Sequence, residues 1–181
     1  MKPRVLIVDD EDTIRKLVKT RLDREGHDVV TAANADEAEK IFDSGAEVGV
    51  VVTDLKMPGR DGFALMAALK KKRSTVKVIV ITGHGEKEVA VQALRQGASD
   101  YLEKPFDMEE ISHSVARGLR EYVLERDNTE LVARLEARVT RVEGKAEDQY
   151  WYVSKAASMG KVNEWMTVLR REAMRGDAEE P

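Results

Sequence analysis

Val48-Gly49-Val50-Val51-Val52-Thr53-Asp54 is a short apolar run, rich in β-branched residues, that stops on a carboxylate. Continuous runs of this length, bounded by turn residues, mark strands buried on both faces. The pattern occurs earlier in Val5-Leu6-Ile7-Val8, followed by Asp9-Asp10, and later in Val76 to Ile81, followed by Thr82-Gly83. Shorter strands are predicted at Asp28 to Ala32 and at Ser99 to Leu102, the second followed closely by Lys104-Pro105. Between these runs the apolar spacing turns helical. Ile14, Leu17, Val18 and Leu22 are stopped by Gly26, Ala35 to Phe42 follows, and Phe63, Leu65, Met66 and Leu69 come after the Pro58-Gly59 turn. A fourth helix is expected over Glu86 to Gln96, stopped by Gly97, and a fifth from about Asp107. Five strands alternating with five helices predict an α/β fold, a doubly wound parallel sheet covered on both faces.

In such sheets functional groups collect beyond the carboxyl ends of the strands. There this chain places Asp9 and Asp10, Asp54, Thr82 and Lys104. Taken singly, each has an ordinary explanation, an aspartate as a cap or turn residue and a lysine as a solvated charge. Packing does not require three carboxylates, a hydroxyl and an ammonium at matching strand ends. Oxygen ligands without nearby histidine or sulfur suit Mg2+, and a divalent cation relieves repulsion among close carboxylates. Asp54 is a candidate nucleophile, because aspartyl phosphates are a known class of covalent intermediate. Thr82, Lys104 and the metal are candidates for neutralising charge on a transferred phosphoryl group.

The whole chain is compatible with that chemistry. It has 181 residues and a net charge of −4, which fits one domain plus an appendage and supplies no overall basic field for nucleic acid. No cysteine occurs, which excludes disulfides, thiolate metal sites and cysteine nucleophiles. Met1-Lys2-Pro3-Arg4 runs directly into a strand and no apolar stretch is long enough to span a bilayer, so a soluble cytoplasmic protein is expected. His27 and His113 lack ligand spacing and are expected on the surface, while His84 lies near Thr82 on the rim of the site.

Four fragments in register resemble the receiver domains of bacterial two-component response regulators, the nitrogen-regulator type in particular. They are Val8-Asp9-Asp10-Glu11, Thr53-Asp54-Leu55-Lys56-Met57-Pro58, Ile81-Thr82-Gly83-His84-Gly85 and Tyr101-Leu102-Glu103-Lys104-Pro105-Phe106. The resemblance covers residues 1–121 and implies a flavodoxin-like, five-stranded parallel sheet of order 2-1-3-4-5. It implies that Asp54 accepts a phosphoryl group from a sensor histidine kinase. Asp10 would be the direct Mg2+ ligand of the acidic pair, Asp9 would act through water, Asp54 would share in holding the ion, and Lys56 would contribute its backbone carbonyl. Thr82 and Lys104 would bind the phosphoryl oxygens, Thr82 and Tyr101 would form the switch, and the Lys104-Pro105 peptide would be cis. The protein would then assist its own phosphorylation and dephosphorylation without being a turnover enzyme. Its helix 4–strand 5–helix 5 face would control contact with a downstream protein.

Beyond the receiver, residues 122–143 read as a helical extension, in which Val132, Leu135, Val139 and Val142 or Leu124, Asn128, Leu131 and Leu135 offer coiled-coil spacing and a homodimer contact. A break is expected over Gly144 to Gln149, then the aromatic cluster Tyr150-Trp151-Tyr152. A final helix should align Met159, Val162, Trp165, Met166 and Leu169 within a 144–175 output segment, ahead of a disordered 176–181 tail. The alternative is a DNA-binding transcriptional regulator acting through this helical region. Against it, Tyr122 to Pro181 holds ten Lys/Arg and twelve Asp/Glu and shows no basic recognition helix. An aspartate-nucleophile phosphatase would need an acid two residues after Asp54, where Lys56 stands, and no phosphate-binding P-loop motif is present.

Overall fold

The computed structural model describes residues 2–83 and 87–158, with Lys87 and residues 135–158 described by their backbone alone. Its elements run β1 (Arg4–Val8), α1 (Asp12–Arg24), β2 (Val29–Ala32), α2 (Ala35–Asp43), β3 (Val48–Asp54), α3 (Gly62–Lys72), β4 (Lys77–Thr82), α4 (Lys87–Arg95), β5 (Asp100–Glu103) and α5 (Met108–Ser158). All five strands are parallel, in the order β2-β1-β3-β4-β5. Alternation along each strand divides the core into two layers. Leu6, Val8, Val51, Val78 and Val80 pack with Phe42, Leu65 and Leu69 on one face. Val5, Ile7, Val50, Val52, Ile79 and Ile81 pack with Val18, Leu22, Ile111 and Val115 on the other. Every residue of β3 is buried, as its unbroken apolar run requires, and each such large aliphatic side chain contributes roughly 1.5–3 kcal/mol.

Local signals set the helix starts. Asn34 caps α2 by accepting the Glu37 N–H at 2.9 Å, and the Glu37 carboxylate reaches back to accept the Ala33 N–H at 2.7 Å, which together fix where the helix begins. Asp61 caps α3 by accepting the Ala64 N–H at 2.8 Å. Strand ends differ from the sequence expectation by a residue or two, and His27 is half-buried rather than freely exposed. Its backbone N–H donates to the Leu22 carbonyl at 3.1 Å after Gly26, which turns the chain back so that the side chain is largely covered, 17% exposed.

The largest departure concerns α5, a single helix of 51 residues. The interruption expected at Gly144 to Gln149 is absent. One glycine costs a helix only about 1 kcal/mol relative to alanine. Glu143, Lys145, Ala146 and Glu147 around it are good helix formers, and no proline follows until the chain end. Tyr150 to Val153 are in the same helix. The expected Met159–Leu169 face, the 176–181 tail and the His84-Gly85 pair lie outside the described residues. The first part of α5 is held closely on the sheet. The Tyr122 ring covers Gly49, where a Cβ would come within 2.8 Å of a ring carbon. Ion pairs from Lys77 to Glu125 and Arg126 to Glu47 secure the next turn, and a compact unit ends at Asn128.

Candidate functional site

Four strand ends deliver the site. Asp9 follows β1, Asp54 and Thr82 are the last residues of β3 and β4, and Lys104 follows β5. Parallel registry aligns them: Asp54 lies opposite Ile81, the Leu55 N–H donates to the Ile81 carbonyl at 3.1 Å, and the Lys104 N–H donates to the Thr82 carbonyl at 2.8 Å. The Lys104-Pro105 peptide is cis. Asp9 is fully buried, Thr82 is 2% exposed and Asp54 is 7% exposed. Gly62, at the start of α3, lets that helix approach the acceptor strand. A Cβ there would lie 2.4 Å from the Asp54 carbonyl oxygen, so a larger residue would push α3 away.

Asp54 is held from two sides. Its Oδ1 accepts the Lys56 N–H at 2.8 Å, and its Oδ2 accepts from Lys104 Nζ at 2.6 Å. The same ammonium reaches Asp9 Oδ2 at 3.3 Å and Glu11 Oε1 at 3.4 Å. Asp9 Oδ1 also accepts the Glu11 N–H at 2.8 Å, a turn that aims the carboxylate inward. One oxygen from each of Asp9, Asp10 and Asp54 falls within 4.8 Å of the others, close enough to share a cation.

The electrostatics are those of a site with surplus negative charge. Burial pushes the Asp9 carboxyl above the ordinary aspartate range, and the charge on Asp54 adds to this; the Glu11 N–H and Lys104 oppose it without cancelling it. Burial alone would lower the Lys104 ammonium. Its hydrogen bond to Asp54 and the charges on Asp54 and Asp9 outweigh that effect and hold its pKa above the ordinary lysine range. A single ammonium thus serves several carboxylates. Oxygen donors only, tightly spaced and partly dry, suit a hard divalent ion such as Mg2+.

Of the residues singled out in the sequence, the structure brings Asp9, Asp10, Asp54 and Lys104 together, and Thr82 ends the strand next to Asp54. The Thr82 hydroxyl donates to the Leu102 carbonyl at 3.4 Å, a long bond that holds it weakly. Lys56 enters through its N–H. Tyr101, opposite Val80 on β5, is 42% exposed and outside the acidic cluster. Sequence reasoning missed Glu11 as a partner of Lys104. It also missed Arg15, whose Nη1 donates to the carbonyls of Asp9 at 2.7 Å and Asp10 at 3.0 Å. The available signal was a cation in the first turn of α1, where the helix dipole disfavours one.

The family model described as the response regulator receiver domain matches residues 5–116. An NtrX-like response regulator of Rickettsia conorii is 39% identical over 133 residues, covering 72% of this chain and 28% of that protein. The C4-dicarboxylate transport transcriptional regulatory protein DctD of Pseudomonas aeruginosa is 42% identical over 125 residues, covering 67% and 26%. The crystal structure of the receiver domain of NtrX from Brucella abortus superposes with a TM-score of 0.61 at 40% identity, covering 64% of this chain and 98% of that one. The chain thus spans little more than a quarter of the length of the two full-length relatives.

Proposed function

This chain belongs to the response regulator receiver family, and from that premise we propose that Asp54 is its phosphoacceptor, working with Mg2+ held by Asp9, Asp10, Asp54 and the backbone carbonyl of Lys56. The observation that carries the reading is Asp54 itself: nearly buried, bonded to Lys104 at 2.6 Å and within 4.8 Å of two further carboxylates. Phosphorylation of an aspartate is general to the family, and the partner that fits is a sensor histidine kinase. An Asp54 carboxylate oxygen forms the new O–P bond as the P–N bond of a phosphohistidine breaks, and the leaving imidazole keeps the electron pair. When bound, Mg2+ supplies charge that neutralises the phosphoryl oxygens in flight. Lys104 moves its hydrogen bond from Asp54 Oδ2 to a phosphoryl oxygen. Thr82, loosely held by Leu102, turns its hydroxyl to another, and Tyr101 reports that movement to the face formed by α4, β5 and α5.

Output on this reading is protein contact in the cytoplasm. Among the described residues no helix is long and apolar enough to cross a membrane. A homodimer through α5 is supported by Leu124, Leu131 and Val132, which are 71%, 56% and 46% exposed. Replacing Leu124 and Leu131 together by Glu should leave a monomer in light scattering, and an unchanged mass would remove the dimer. For the site, Asp54→Asn incubated with a small acyl-phosphate donor and Mg2+ should take up no label while the wild type does. Full labelling of the variant would sink the assignment.

A further inference from the structure

We propose that Arg15 is a positioning residue for the metal site, clamping the backbone of the acidic pair so that the Asp9 and Asp10 carboxylates face Asp54. The inference rests on the phosphoacceptor reading above, since it concerns the same site. Nη1 of Arg15 bridges the two successive carbonyls, Asp9 at 2.7 Å and Asp10 at 3.0 Å, and Nη2 is held by Asp12 Oδ1 at 3.0 Å. This is a built contact: the Arg15 side chain is 15% exposed, whereas that of its neighbour Lys16, which pairs with Asp12, is 77% exposed.

The clamp acts where the chain needs it. Asp9 is already fixed at its N–H by the Ala32 carbonyl at 3.3 Å and at its carboxylate by the Glu11 N–H at 2.8 Å. Asp10 is exposed between the end of β1 and the start of α1. Tying its carbonyl to the same nitrogen that holds Asp9 turns both peptide planes together, which sets where the two side chains leave the backbone. Three repelling carboxylates would otherwise spread apart, so the cost of gathering them is met partly by the charge-assisted bonds from Arg15 to the two carbonyls.

Arg15 also carries a charge that acts in the opposite direction. A guanidinium near a divalent ion repels it, so simple charge removal should tighten Mg2+ binding, whereas loss of the clamp should weaken it. Outer partners of metal ligands are commonly worth about 10–100-fold in affinity, and a bond to ligand backbone rather than ligand oxygen places Arg15 near the lower end, about tenfold.

The test is calorimetric titration of Mg2+ into the full chain as wild type, Arg15→Ala and Arg15→Lys, with amide exchange at Glu11 and thermal melting followed on the metal-free samples. Arg15→Ala should bind Mg2+ about tenfold more weakly and exchange the Glu11 N–H faster. Arg15→Lys, which keeps the charge but reaches one carbonyl, should lie between. Binding as tight as wild type or tighter in either variant overturns the clamp, and a uniform loss of melting temperature without a change in affinity does the same. Should Arg15→Ala not fold, Arg15→Lys decides alone on the same criterion. If the wild type shows no saturable Mg2+ binding, the phosphoacceptor reading falls, and the clamp with it.

Discussion

The two ends of the sheet handle charge in opposite ways. At the amino ends of the strands, cations and carboxylates are paired at or near the surface: Arg4 with Asp28 at 2.8 Å, Lys72 with Asp43 at 2.6 Å, Lys77 with Glu125, and Arg126 with Glu47 and Asp127. At the carboxyl ends, one lysine faces Asp9, Asp54 and Glu11 with Asp10 alongside, and Asp9 has no exposed surface. Matched exposed pairs are a neutral way to keep a surface soluble. A buried surplus of one sign costs stability, and a fold keeps it where something else supplies the missing charge. The difference between the ends therefore marks the carboxyl end as the candidate site without reference to any relative.

Breaking the site end should produce the larger effects. Lys104→Ala removes the only cation bonded to Asp54 among the described contacts, so the metal-free protein should melt well below wild type and Mg2+ should restore part of the loss. Phosphoryl uptake should persist, because the metal carries more of the transfer, while the NMR shifts that Tyr101 undergoes on phosphorylation should shrink. Shifts as large as in the wild type would contradict the coupling assigned to Lys104.

Asp9 gives a smaller and pH-dependent effect. Its folded pKa is raised, so the folded state holds the proton more tightly than the unfolded chain. That contribution is full below the ordinary aspartate value and is lost as pH rises through the raised one. Asp9→Asn should therefore be more stable than wild type at pH 7 without Mg2+, with the gain closing at low pH. Glu39 is the contrasting case, since its hydrogen bond to Arg60 holds it below the ordinary glutamate range against the opposing effect of burial. Its contribution is present above that range and is lost as pH falls through its lowered pKa. Melting temperatures of the Asp9 and Glu39→Gln variants from pH 3 to 8, run without metal, should move in opposite directions relative to wild type, and parallel curves would count against both assignments.

At the opposite end, Asp43→Asn should change stability by less than about 1 kcal/mol. A larger loss in denaturant titration would mean that the matched pairs carry more than surface charge.

Much of this was legible in the chain because the relevant signals are local and repeated. The runs ending at Asp9, Asp54, Thr82 and Lys104 declare both the strands and the edge on which their chemistry gathers, since parallel strands bring all their carboxyl ends together. What escaped was set by contacts distant in sequence or by weak local preferences. Arg15 looks like one more helical cation until the turn before it presents two carbonyls. His27 is covered only because Gly26 folds the chain back, and Gly144 resembles a break although its neighbours favour helix strongly enough to carry α5 through.

The central claim is that the surplus of carboxylates exists to serve Asp54. It is tested most directly by phosphorylating the wild-type chain with a small acyl phosphate in the presence of Mg2+, reducing the acyl phosphate with borohydride and mapping the product by mass spectrometry. The account predicts a homoserine at position 54, and none when Mg2+ is withheld by a chelator. Modification at Asp9 or Asp10 with position 54 untouched, or equal modification without Mg2+, would contradict it.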